Sequence, residues 1–177
     1  MQKGTKNKLM LLFSFALAVA VIIALSIRDK QASTTISEQD REFPRFVAQD
    51  LLDEGELINL ADITKDQYQL VNVWASWCGI CRTEHEYLNQ LKKQGVPIIG
   101  INYRDNKQDA MSVLINDGNP FNKIIYDHNG DLSIELGVIG TPETYLIDHS
   151  GKVILKISGV IDSEVWNKSL KKYFQGS

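Results

Sequence analysis

The stretch "VNVWASWCGICRTEHEYL", residues 71–88, holds both cysteines of the chain, Cys78 and Cys81. The residues before them, "YQLVNVWA" (68–75), are rich in β-branched and aromatic side chains and predict a buried central strand. The residues after them follow a helical pattern over 78–94, stopped by Gly95. The cysteines therefore fall where a strand gives way to a helix. Free N–H groups and the positive dipole end at a helix start stabilise an anion. Cys78, at that end, is predicted to have a lowered pKa and to be the attacking thiolate. Cys81, one turn in and more covered, resolves the mixed disulfide.

Three other readings of the pair remain. A metal knuckle needs two more ligands, and the remaining candidates are His85, His128 and His149, the last two in turns without a ligand spacing. An inert pair has no reason to sit at a strand-to-helix junction behind Trp77. A structural staple gains little from so short a loop.

Outside this stretch the elements alternate. A second strand is predicted over 96–103 and a helix over 106–117, ended by Gly118. A short strand follows at 123–127, a turn or two of helix at 131–137, and a hairpin from 143–148 and 152–159. An amphipathic helix over 162–174 closes the chain, with Val165, Trp166, Leu170 and Phe174 on one side. This order predicts an α/β layered domain with a mixed sheet.

The chain has 177 residues, 44% hydrophobic and 23% charged, enough for one domain and an appendage. A net charge of −3 gives no broad basic surface and argues against nucleic acid as a partner. Lys3, Lys6 and Lys8 precede the uncharged run "LMLLFSFALAVAVIIALSI" (9–27). As a helix this run comes close to crossing the roughly 30 Å hydrocarbon core. A cleaved signal peptide is the alternative, but its apolar region would run only about 7–15 residues. The "ALS" at 24–26 is a poor cleavage site, and Arg28 follows the run at once. We expect a cytoplasmic N-terminus over 1–8, a single transmembrane anchor over 9–27, a flexible linker over 28–43 and a globular domain over 44–177. Either reading places the domain outside the cytoplasm, where cysteines can be oxidised.

"NVWASWCGICRTEH" (72–85) together with "GVIGTPETYLID" (137–148) resembles the CcmG/DsbE family, the membrane-anchored, thioredoxin-like proteins of cytochrome c maturation. The resemblance covers nearly the whole chain. It implies a thioredoxin-like three-layer fold with a mixed central sheet behind one N-terminal transmembrane helix. It also implies a thiol-disulfide oxidoreductase tethered to the bacterial inner membrane, with its domain on the periplasmic side. Such a protein would reduce the heme-binding cysteines of apocytochrome c, directly or through heme-lyase or other maturation components. Its electrons would come from a transmembrane thiol reductase of the DsbD or CcdA type, and no cofactor is implied. The family centre more commonly reads W-C-P-T-C; Gly79-Ile80 stands here instead, and that pair tunes the redox potential.

Several residues gain roles beside the redox-active disulfide of Cys78 and Cys81. Glu84 is three residues after Cys81 and joins Ile80, Leu88 and Leu91 on one apolar stripe. A carboxyl there is expected to be buried with a raised pKa, and so able to pass a proton to or from Cys81. It could equally be an exposed helix acid; the resemblance favours the catalytic role. By the same resemblance Pro142 is cis, and Thr141 offers its backbone to an extended substrate. Glu143 is expected near the dithiol as a second proton or partner-recognition group, rather than a solvent-facing acid. Trp77 flanks the thiolate and is the candidate partner contact, with Trp74 in the core. Asn72 stands where thioredoxins carry a buried acid, and reads as a hydrogen-bonded strand amide. His85 reads as a helix-surface residue and Arg82 as a solvated one. The loop over 103–110 is a candidate partner contact.

Overall fold

The computed structural model describes Met10, residues 12–22 and residues 34–175. It divides into two units, Met1–Ser33 and Thr34–Ser177. In the first, Met10 and residues 12–22 are helical and expose large apolar side chains such as Phe13, Phe15 and Ile22. Among the described residues no helix is long and apolar enough to cross a membrane. The anchor expected over 9–27 lies partly outside the described residues, and the cytoplasmic segment over 1–8 wholly so.

The second unit is built on a six-stranded mixed sheet in the order β1-β8-β7-β4-β5-β6, with β1 (Thr35–Glu42) at one edge. β4 (Tyr68–Trp74) runs parallel to β5 (Ile98–Tyr103), which runs parallel to β6 (Lys123–Asp127). β7 (Glu143–Asp148) lies antiparallel on the other side of β4, and β8 (Lys152–Ser158) antiparallel to β7. β4 is central, which is why its apolar residues form a run instead of alternating with polar ones.

Successive residues of a strand face opposite sides. On β4, Leu70, Asn72 and Trp74 meet the helices α2 (Cys81–Lys93), α3 (Lys107–Asp117) and the terminal helix α5 (residues 163–174). Val71 and Val73 join a second core with Ile101, Tyr145, Ile147 and Phe43. That second face is covered by α4 (Asp131–Glu135), by the short helix α1 (Leu60–Ile63) and by a two-stranded sheet of β2 (Val47–Gln49) and β3 (Leu57–Asn59). The expected three layers with a mixed sheet are present.

Element ends follow local chemistry. Gly95 takes φ 86° just after α2, whose last turn carries Lys92 and Lys93. Asn106 caps α3 by accepting from the N–H groups of Gln108 and Asp109. Gly100 has no side chain because a Cβ there would meet Trp74 and Phe121 at 3.0 Å. Those two rings stack at 5.4 Å over its backbone. Helix α5 comprises Ser163–Val165, a π-helical turn at Trp166–Leu170 and Lys171–Phe174. Its stripe behaves as expected: Val165, Trp166 and Leu170 are buried and Phe174 stacks on Trp166.

The expected linker is corrected. β1 (Thr35–Glu42) is an edge strand paired antiparallel with β8, so the folded unit begins before residue 44. Its pairing uses main-chain groups. Its charged side chains suit an exposed edge, and only Ile36 packs on the core as a large apolar residue.

Candidate active site

Cys78 and Cys81 form a disulfide with an S–S distance of 2.07 Å. Helix α2 begins at Cys81, not at Cys78, and Cys78 sits in the turn that precedes it. The Cys81 N–H, in the first turn of the helix, points at Cys78 Sγ at 3.1 Å. This is the donor that a Cys78 thiolate needs. Burial does not separate the two: Cys78 is 6% and Cys81 5% exposed, so the expectation of a more covered Cys81 is corrected. What separates them is the amide aimed at one sulfur.

The loop carrying Cys78 is held from β5. Asp105, buried just after that strand, accepts from Ser76 N at 2.5 Å and Ser76 Oγ at 2.6 Å. It also accepts from the Asn102 amide and the Asn106 N–H, both at 2.8 Å. Arg104, with φ 45°, turns its carbonyl to accept from Trp77 Nε1 at 3.1 Å. Asp105 was not among the residues singled out from sequence; an acid just after a strand carries no signal of its own there. Asp105→Ala leaves the Ser76 N–H and the Asn102 amide without this acceptor. It should cost about 2–3 kcal/mol, read as a lower urea midpoint at an unchanged m-value; an unchanged midpoint contradicts the anchoring role.

Glu84 is 1% exposed and, three residues after Cys81, shares its face of α2. Its Oε1 accepts from Asn72 Nδ2 and its Oε2 from the Ile161 N–H, each at 2.8 Å. Burial pushes its carboxyl up to about 7, against the lowering effect of these two hydrogen bonds. The expected buried acid with a raised pKa is found. The stripe, however, begins at Glu84, because Ile80 precedes the helix and is exposed. Asn72 is a hydrogen-bonded strand amide as read, with Glu84 and the Thr144 hydroxyl as partners.

Glu143 is corrected. It is buried, but register pairs it with Val73, and its side chain joins Tyr145 on the face opposite Asn72 and Glu84. The central sheet therefore lies between the two acids, and Glu143 does not face the dithiol. His85 is corrected too: it is 4% exposed, with Nε2 at 2.6 Å from the Gly118 carbonyl, against Trp74 and Phe121. Trp77 is exposed, Trp74 is in the core and Arg82 is exposed, as read. The Thr141–Pro142 peptide is cis. A cleft beside Trp77 is lined by Ser76, Arg82, Asp109 and Asn116.

The arrangement can perform dithiol exchange: a stabilised sulfur, a second sulfur one turn away, and a titratable acid on the same helix. Comparisons with known proteins agree. Residues 38–172 match the Redoxin family. The thiol:disulfide interchange protein DsbE of Escherichia coli is 39% identical over 132 residues, spanning 75% of this chain and 71% of that protein. DsbE of Pseudomonas aeruginosa is 43% identical over 135 residues, spanning 76% and 74%. A secreted thiol-disulfide isomerase of Corynebacterium glutamicum shares the fold, with a TM-score of 0.67 at 22% identity over 82% of this chain and 95% of that one. Such kinship runs through the dithiol and the strands that carry it, so the chain belongs to the DsbE family of thiol:disulfide interchange proteins and is a thiol-disulfide oxidoreductase with a thioredoxin-like fold.

Proposed function

We propose that the protein is a membrane-tethered, extracytoplasmic reductant that returns the heme-binding cysteines of apocytochrome c to the dithiol state. The observation that carries the reductive direction is the buried Glu84 on the Cys81 side of α2. A strong oxidant stabilises its reduced form. Here Gly79-Ile80 brings no positive charge between the cysteines, and a carboxyl three residues along the helix from the resolving thiol disfavours its thiolate. Tethering is supported by Lys3, Lys6 and Lys8 ahead of the uncharged run 9–27. The cytochrome substrate and a DsbD- or CcdA-type electron donor rest on the likeness of the two motifs.

In the reaction, the Cys78 thiolate attacks one sulfur of the substrate disulfide and the other substrate sulfur leaves as a thiolate. Cys81 gives its proton to the Glu84 carboxylate and attacks Cys78 Sγ. The second substrate thiolate leaves, and the two electrons of the protein dithiol now reside on the substrate. Trp77, Thr141 and Pro142 would hold the substrate segment.

Oxidised peptides test the substrate reading. A peptide carrying Cys-x-x-Cys-His, the heme-attachment pattern, should be reduced faster than the same composition with the histidine moved away from the cysteines. Equal rates for the two would contradict it.

A further inference from the structure

Glu143, Lys156, Tyr145 and Arg41 form a polar cluster on the sheet face away from the dithiol, and dithiol exchange as described leaves it unused. Glu143 and Lys156 are strongly buried for an acid and an amine, with side chains 2% and 14% exposed and Oε2 to Nζ at 3.0 Å. Four of the cluster's other bonds converge on one segment of backbone, residues 136–139, which leads into Thr141 and Pro142. Lys156 Nζ donates to the Gly137 carbonyl at 2.8 Å. Arg41 Nη2 donates to the Leu136 carbonyl. Tyr145 Oη lies 2.9 Å from Glu143 Oε2 and 3.4 Å from the Leu136 carbonyl. Glu143 Oε1 accepts from the Ile139 N–H at 3.4 Å and from Ser158 Oγ at 3.2 Å.

Side chains rooted on β1, β7 and β8 thus grip both carbonyls and an N–H of one loop. Above them Ile139 is 87% exposed. The base of the loop is clamped while its apex meets solvent. Burial and the neighbouring Glu143 charge keep the Tyr145 hydroxyl protonated, so it remains a donor. A buried ion pair is a poor source of stability compared with an apolar pair of the same volume. Its physical use here is geometric: a loop that must receive a substrate is held by several directional bonds before the substrate arrives.

We propose that Glu143 is a positioning residue: with Lys156, Arg41 and Tyr145 it fixes the segment 136–142 from behind the sheet, so that Thr141 and Pro142 stand ready for an extended polypeptide disulfide. This rests on the reading above that Thr141 and Pro142 meet the substrate.

The test compares two oxidants of the reduced full-length protein: an oxidised Cys-x-x-Cys-His peptide, which needs the loop, and oxidised glutathione, which is too small to use it. Lys156→Met should lower kcat/KM on the peptide about 10- to 100-fold, mainly by raising KM. Its rate with glutathione and its redox potential should match the parent, and Lys156→Arg should recover most of the loss. An equal loss on both oxidants, or a shifted potential, would overturn the proposal in favour of an electrostatic effect on the dithiol. No loss on the peptide would overturn it outright. If Lys156→Met does not fold, Tyr145→Phe, which removes the hydroxyl lying between Glu143 and the Leu136 carbonyl, is read the same way. A parent inactive on the peptide but active on glutathione would instead sink the substrate assignment, so the two failures differ.

Discussion

Cys81→Ser should stop the reaction at a covalent half-way point, whereas Cys78→Ser should remove it altogether. The two cysteines are almost equally buried, so accessibility does not choose between them. The Cys81 N–H does, because it points at Cys78 Sγ and stabilises charge there. Reduced Cys81→Ser protein mixed with an oxidised Cys-x-x-Cys-His peptide should accumulate a mixed disulfide at Cys78. The serine hydroxyl titrates far above any thiol and cannot release the peptide. Mass spectrometry of the intact adduct reads the outcome. In Cys78→Ser the remaining thiol lacks the aimed amide, and neither adduct nor turnover should form. Adduct on Cys81 in that variant, or full turnover by it, would reverse the assignment.

Glu84→Gln should cost about 100-fold in the resolving step near pH 7, the lower end of what a positioned proton-transfer group contributes. Glutamine keeps the shape of the carboxyl and one acceptor oxygen, enough for the bond from either Asn72 or Ile161, but cannot exchange a proton. In the parent, the rate of mixed-disulfide resolution should rise through an inflection near pH 7, where the carboxylate becomes available as a base. The inflection should vanish in the variant. Stability carries a second signature of the same group. An unfolded chain loses this proton near 4.5, the folded one only near 7. Between those values the native state binds more protons, so stability falls as pH rises, by about 3 kcal/mol over the window. The stabilisation is complete below pH 4.5 and lost above pH 7, and Glu84→Gln removes that part of the slope. Equal resolution rates for parent and variant across pH 6–9 would end the proton-transfer role.

Legibility in the sequence divided along a physical line. Strands whose residues are buried on both faces, such as β4, announce themselves through apolar runs. β6 and β7 fell on their predicted bounds because turn residues bracket them. β1 was missed because an edge strand is specified by the main-chain groups of its neighbour, and "TISEQDRE" offers Ile36 as its sole large apolar side chain. Helical spacing located Glu84, since position along a helix is local information. It failed at Ile80, which lies just before the helix begins. The faces of Glu143 and His85 depend on strand pairing and on packing against residues distant in sequence, Val73 for one and Gly118 for the other. Spacing carries no record of either. Asp105 acts through the backbone of Ser76, a contact across 29 positions that no motif encodes.

The equilibrium redox potential of the Cys78–Cys81 couple against glutathione tests the central claim most directly. A reductant with Gly79-Ile80 between its cysteines and a buried carboxyl beside the second should lie between about −200 and −270 mV, in the range of glutaredoxins and thioredoxin. A value near −120 mV, that of the strong oxidant DsbA, would contradict the account and make the protein a donor of disulfides.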